Sequence, residues 1–294
     1  MSLLTLKQAP APSAVLEVLK PITWFPPMWA FACGVVSSGM PVGPELGKVA
    51  LGVVLAGPLV CAASQAVNDW YDRHVDAINE PHRPIPSGRL PGMWGLAIAI
   101  VWSLLSLFVA MFLGRTVFAA TVIGLALAWA YSAPPFRLKL DGWWGNAACG
   151  FSYEGLAWIT GASLMLGGAL PGHQILSLAL LYSVAAHGIM TLNDFKSIEG
   201  DRALGVRSLP VQLGPETAAK VACAVMLAPQ AIVVALLLYW DRSAHAVAVA
   251  ALMAAQIWCM RRLLADPRGQ APWYNATGIS LLVSGMMVSA FAVR

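Results

Sequence analysis

The residues of this 294-residue chain that could do chemistry fall in two acidic clusters with one repeated pattern. The first reads Asn68-Asp69-Trp70-Tyr71-Asp72-Arg73-His74-Val75-Asp76, the second Asn193-Asp194-Phe195-Lys196-Ser197-Ile198-Glu199-Gly200-Asp201, 125 residues further on. Aligned without a gap, Asn68, Asp69 and Asp76 fall on Asn193, Asp194 and Asp201; Ser197 replaces Asp72, and Glu199 adds a carboxylate two residues later. Positions 68, 72 and 76, like 193, 197 and 201, are spaced i, i+4, i+8, so on a continuing helix they stack on one face. Carboxylates gathered this way repel one another, and at the mouth of a membrane bundle they are costly unless something cationic sits between them. Asp and Asn oxygens suit a hard ion such as Mg²⁺, which usually bridges protein carboxylates and substrate phosphates. The expected metal ligands are Asn68, Asp69, Asp72, Asp76, Asn193, Asp194, Glu199 and Asp201, with Asp72, Asp76, Asp194 and Asp201 as the catalytic carboxylates. A solvated loop rich in Asp and Arg is the plain alternative; the duplication, with matched spacing, argues against it.

Basic residues follow each cluster. His82-Arg83-Pro84-Ile85-Pro86-Ser87-Gly88-Arg89 is a stiff, turn-forming segment after the first. Arg202 and Arg207 follow the second, and Tyr131-Ser132-Ala133-Pro134-Pro135-Phe136-Arg137-Leu138-Lys139 forms a third basic loop. Carboxylates that hold Mg²⁺ and cations that contact phosphate oxygens directly are the parts needed to bind a diphosphate and stabilise it as a leaving group. The expected diphosphate contacts are Arg83, Arg137, Lys139, Lys196, Arg202 and Arg207. Arg83, Lys139, Lys196 and Arg207 are favoured over Arg261 or Arg262, since topology alone accounts for part of the basic content.

The elements that must carry these clusters are membrane helices. Charged residues make up 11% of the chain, against about 25% in soluble domains, and apolar residues 59%. A span needs roughly 20 apolar residues, and nine candidates lie near 22–40, 49–67, 93–113, 116–133, 145–166, 174–192, 218–240, 244–260 and 275–293. Backbone in lipid must satisfy its own polar groups, so the expected fold is all-α: a polytopic membrane protein of about nine helices around a central cavity open to the cytoplasm. Residues 1–20 read as a cytoplasmic or interfacial arm, and 21–294 as one transmembrane domain. An inside N-terminus and nine spans place 14 of the 18 basic residues on the inner side, as the positive-inside rule requires. The expected location is the cell inner membrane, with the N-terminus cytoplasmic and the C-terminus outside. The net charge of +4 then reflects membrane orientation and anionic-substrate binding; the partner is a lipid bilayer, and no nucleic acid. The five cysteines, with no CxxC spacing, read as small hydrophobes in helix packing.

At these motifs the chain resembles an intramembrane prenyltransferase of the UbiA-type superfamily. The pattern NDxxDxxxD stands at 68–76, with its acidic partner at 193–201. The segments KPITWFPPMWAFACG (20–34), QAVNDWYDRHVDAINEPHRPIPSGR (65–89), YSAPPFRLK (131–139) and HGIMTLNDFKSIEGDRALGVRSLPVQLG (187–214) resemble the chlorophyll synthase family, in its bacteriochlorophyll-forming branch. The similarity runs over essentially the whole chain. It implies that an isoprenoid diphosphate, geranylgeranyl or phytyl, is ionised at its allylic carbon with Mg²⁺, and that the propionate carboxylate of a bacteriochlorophyllide captures that carbon as an ester. In the superfamily the second motif commonly carries a carboxylate where Ser197 stands, so either Glu199 or a water completes that site.

Other residues hold two readings each. Glu154, with Tyr153 inside the fifth span, is ionisable at membrane depth and therefore a functional candidate; it orients a pigment or packs through hydrogen bonds. His187 is a pigment ligand or a satisfied interior histidine. Trp24, Phe25 and Trp29 line a pigment pocket or anchor the interface. Trp143 and Trp144 read as belt residues. A transporter would place its charges near mid-span in broken helices, whereas these clusters lie at span ends. A pigment-assembly protein would not need two acidic motifs. Within the enzyme class, the alternative acceptors are a quinone precursor, chlorophyllide or haem.

Overall fold

Proline, glycine and charged residues punctuate the apolar runs, and helices form between them. The computed structural model describes residues 9–294, and each of the nine expected spans is helical in it. Seven helices are long and apolar enough to cross a membrane: Gly43–Asn79, Trp94–Met111, Arg115–Ser132, His173–Lys196, Pro215–Tyr239, Ser243–Ala265 and Pro267–Ala292. The other two depart from the simple picture. Phe25–Ser37 has 13 residues, about 20 Å at 1.5 Å per residue, which is short of a hydrocarbon core of about 30 Å. Residues 142–165 are helical throughout, yet the middle piece, Phe151–Leu156, is a π-helix between Gly142–Gly150 and Ala157–Met165. A second π turn, Leu55–Cys61, contains Pro58, which cannot donate to the helical ladder. The Pro58 carbonyl instead accepts a hydrogen bond from Trp102 Nε1 at 3.1 Å.

The short helix Phe25–Ser37 is held by close approach to Ala157–Met165. A Cβ on Gly34 would lie 2.0 Å from the Trp158 carbonyl oxygen, and one on Gly161 2.1 Å from that of Phe31. Small residues permit this contact between membrane helices. Trp158 secures the crossing: its Nε1 donates to Ser37 Oγ at 3.0 Å and its ring stacks on Tyr182. Deeper still, Tyr182 pairs with Ser289 and Gln230 with Gln256.

The two acidic clusters fold differently. Gly43–Asn79 carries residues 68–76 on unbroken helix, so Asn68, Asp72 and Asp76 share one face as the spacing predicts. The second cluster corrects that expectation. His173–Asn193 passes into a 3₁₀ turn, Asp194–Lys196, then breaks at Ser197 before the short helix Ile198–Ala203. The Ser197 hydroxyl and N–H both turn back to the Asp194 carbonyl, the local competition that makes serine a helix interrupter.

Of the expected N-terminal arm, residues 1–8, including Lys7, lie outside the described residues. The helix Pro12–Leu19 buries Ala14, Val18 and Leu19 against Ala62, Ala66 and Val67 of the first acidic helix. Arg89 clamps the arm through Glu17 with two hydrogen bonds, at 2.6 and 2.9 Å.

Candidate active site

Both acidic clusters open onto one cavity of about 1310 Å³, larger than the 300–1,000 Å³ usual for a single small ligand. Asn68, Asp72 and Asp76 line it from one helix; Asn193, Asp194, Ser197 and Asp201 line it from the opposite element. Arg83, Arg137, Lys139 and Lys196 reach the same space. Beyond the charged groups the walls become apolar, with Phe25, Phe31, Leu55, Leu127 and Leu156 among them.

The carboxylates are held by cations and hydroxyls. Lys139 Nζ lies 2.6 Å from Asp72 Oδ1, and Arg83 Nη1 lies 2.9 Å from Asp76 Oδ2. Asp201 Oδ2 accepts from Ser208 Oγ at 2.7 Å and Ser197 Oγ at 3.3 Å. Burial pushes the Asp201 carboxyl above the ordinary aspartate range, and those two hydroxyls pull it back. Burial likewise pushes Lys139 below the ordinary lysine range, while the Asp72 carboxylate opposes the fall. Lys139 owes its place to backbone stitching. Asp141 caps the helix that follows, accepting from Trp143 N and Trp144 N. Arg207 N donates to the Leu140 carbonyl and Gly142 N to that of Arg207, both at 2.8 Å, so the loops of Lys139 and Ser208 move as one.

Several expected site residues lie elsewhere. Asp69 is absent from the cavity wall: it is 3% exposed and bonded at 2.6 Å to Lys20, one residue off the 68/72/76 face. Glu199 is also outside. It is 70% exposed and paired with Arg268 at 2.6 Å, which holds its carboxyl below the usual glutamate range; Ser197 and Ser208, not Glu199, accompany Asp201. Arg202 and Arg207 do not line the cavity, and Arg207 contributes through its backbone. Trp24 and Trp29 spend their indole N–H groups on the Leu19 and Val283 carbonyls, outside the lining. His187 packs against the Trp143 ring, also outside. Phe25, Tyr153 and Glu154 do line it. Missed by sequence reasoning were Lys20, Ser208 and Asn275, whose Nδ2 donates to Asn193 Oδ1 at 3.3 Å. No motif marks Ser208 or Asn275, although Lys20 is a lone cation beside the first apolar run.

Among the described residues no three His, Cys, Asp or Glu side chains are gathered tightly enough to chelate an ion alone. The donors that the two acidic clusters present to the cavity are carboxylate, amide and hydroxyl oxygens. That fits Mg²⁺, which typically takes one or two carboxylates and completes its shell with water and substrate oxygens.

The chain belongs to the UbiA prenyltransferase family, whose sequence profile matches residues 23–284, and is thus a multi-pass membrane prenyltransferase. It is 58% identical over 290 residues to the bacteriochlorophyll synthase 33 kDa chain of Rhodobacter capsulatus, covering 98% of this chain and 95% of that one. It is 41% identical to the chloroplastic chlorophyll synthase of Arabidopsis thaliana, covering 94% and 73%. The fold matches that of a UbiA homolog from Archaeoglobus fulgidus bound to GPP and Mg²⁺, with a TM-score of 0.67 at 21% identity, covering 95% of this chain and 99% of that one.

Proposed function

We propose that this protein esterifies the propionate carboxylate of a bacteriochlorophyllide with geranylgeranyl or phytyl diphosphate, releasing diphosphate. The observation that carries the reading is the single cavity lined by both acidic clusters and four cations, in a chain 58% identical to a bacteriochlorophyll synthase chain. Arg83, Arg137, Lys139 and Lys196 bind the diphosphate oxygens. Asn68, Asp72, Asp76, Asn193, Asp194 and Asp201 would hold Mg²⁺, which neutralises negative charge on the diphosphate. As the allylic C–O bond breaks, its electron pair leaves with the diphosphate, and the cations counter the charge that grows there. The propionate oxygen then bonds to the allylic carbon. That nucleophile is already ionised at neutral pH, so no protein base is needed. The apolar walls hold the prenyl chain and exclude water from the reactive carbon. In this reading the chain spans the inner membrane with its N-terminus and charged cavity mouth on the cytoplasmic side.

The deciding assay supplies purified protein with geranylgeranyl diphosphate, Mg²⁺ and one acceptor at a time: bacteriochlorophyllide, the same pigment with its propionate blocked as a methyl ester, chlorophyllide, haem or a quinone precursor. Ester formation with free bacteriochlorophyllide and none with the blocked pigment is the expected result. Prenylation of the blocked pigment would identify a ring carbon or vinyl group as the nucleophile and end the proposal.

A further inference from the structure

Glu154 stands out among the cavity residues that the chemistry above does not use. Three buried side-chain polar atoms on the cavity wall lack a partner among the described residues: Arg137 Nε, Asn275 Oδ1 and Glu154 Oε2. The first two belong to groups at the charged mouth, where phosphate and water supply partners. Glu154 is different, being 5% exposed and part of no ion pair among the described residues. Its polar neighbours along the helix have other partners. The adjacent Tyr153 hydroxyl meets Gln65 Nε2 at 3.0 Å and Ser64 at 3.3 Å, and Thr160 Oγ1 donates to the Leu156 carbonyl at 2.6 Å.

A buried carboxyl without a cation or donor costs several kcal/mol if charged and about 1–3 kcal/mol if merely unsatisfied. Whatever fills the cavity therefore has to bring the partner. A prenyl chain cannot, because past its diphosphate it is hydrocarbon. The acceptor can, since its macrocycle carries carbonyl groups at its edge. Tyr153 is level with Gln65, and Gln65 lies seven residues before Asp72 on the same helix, roughly 10 Å along the axis. With the propionate near the metal carboxylates, the macrocycle extends into this part of the cavity, and at its 3-position bacteriochlorophyllide a carries an acetyl group and chlorophyllide a a vinyl group.

We infer that Glu154, as the neutral acid, donates a hydrogen bond to the acetyl oxygen of the tetrapyrrole acceptor and so discriminates acetyl-bearing from vinyl-bearing pigments. The inference rests on the esterification reading above. It also gives the carboxyl a use on that wall: with a vinyl pigment it remains unpaired, and that penalty is the discrimination. Selection by leaving a buried polar group unsatisfied exceeds what shape alone achieves.

The test compares wild type, Glu154→Gln and Glu154→Leu with bacteriochlorophyllide a and its 3-vinyl analogue, reading kcat and KM for pigment and for geranylgeranyl diphosphate. Resonance Raman spectra of the bound acetyl-bearing pigment report the acetyl carbonyl stretch independently of turnover. Wild type should prefer the acetyl pigment. Glu154→Leu should raise the KM for that pigment about tenfold, lower or leave unchanged the KM for the vinyl analogue, and leave that for geranylgeranyl diphosphate unchanged. Glu154→Gln keeps an N–H donor and should fall between. The downshifted acetyl band should persist in wild type and vanish in Glu154→Leu. Equal losses with both pigments, a change confined to the isoprenoid diphosphate, or an acetyl band identical in wild type and Glu154→Leu would overturn the inference. If wild type forms no ester at all, the function reading fails first, and the Raman comparison still decides the Glu154 contact.

Discussion

Replacing Lys139 with Met should move two quantities in opposite senses. Its ammonium lies 2.6 Å from Asp72, and the two side chains are only 11% and 20% exposed, so solvent screens the pair weakly. A hydrogen bond between charged partners of this kind contributes about 1.5–3 kcal/mol, and 1.36 kcal/mol is one decade in rate or affinity. Lys139 plays two parts in the proposed cycle: it holds Asp72 before substrate arrives, then turns to the diphosphate. Its loss removes a contact that strengthens as the leaving group departs, so turnover should fall at least about tenfold. The same change frees Asp72 from a competing cation, so the half-saturating Mg²⁺ concentration should fall, by up to about tenfold. The assay is the rate against Mg²⁺ concentration at saturating substrates in one detergent preparation, with Lys139→Arg as the charge-retaining control. Turnover within about twofold of wild type, or a raised Mg²⁺ requirement, would refute the assignment of Lys139 to the diphosphate and Asp72 to the metal.

Other expectations follow from the same contacts. Asp194→Ala should abolish turnover while leaving helicity and the thermal midpoint nearly unchanged, checked by circular dichroism beside the activity assay. Ser208→Ala removes a donor that favours the Asp201 carboxylate, and burial already raises that group. Metal binding needs the charged form, which is lost as pH falls, so the acidic limb of the rate–pH profile should move to higher pH. Arg207→Ala, like Arg261→Ala and Arg262→Ala, should be almost silent in turnover, because none of these side chains lines the cavity; a tenfold loss at Arg207 would place its guanidinium on the substrate. Gly34→Ala should destabilise the fold by about 1–3 kcal/mol or more, read as a lowered thermal midpoint in detergent, since its Cβ would collide with the Trp158 carbonyl.

Much of this architecture was legible in residue types alone, and the failures have specific causes. Apolar runs bounded by charge and turn residues located the nine long helical segments, because lipid leaves the backbone no other way to satisfy itself, but not the short helices Pro12–Leu19, Ile198–Ala203 and Leu209–Leu213. The i, i+4, i+8 spacing put Asn68, Asp72 and Asp76 on one face, while the motif view grouped Asp69 with them as a ligand. One residue is 100° of helix, enough to turn Asp69 from the cavity to Lys20. The second cluster differs in another way: the helix breaks at Ser197, so Asp194 joins Asn193, Ser197 and Asp201 on the cavity wall, while Glu199 swings out to Arg268. Arg207 shows what counting cations cannot reveal, since its backbone, and not its guanidinium, ties the two loops. The carboxyl of Glu154 was visible within an apolar run, but the π turn that contains it leaves no trace in composition.

The π turns at Leu55–Cys61 and Phe151–Leu156 set the angular phase of what lies beyond them. A π turn carries one residue more than the α turn it replaces, and that residue rotates everything downstream by about 100°. Deleting a single residue from Leu55–Cys61 would leave every helix intact and every apolar run apolar. It would nonetheless swing Asn68, Asp72 and Asp76 away from the cavity and carry a different face of the helix into it. The number of residues in this segment is therefore as constrained as their packing. A lone insertion or deletion there is a change of reading frame for the active site, written in degrees instead of codons.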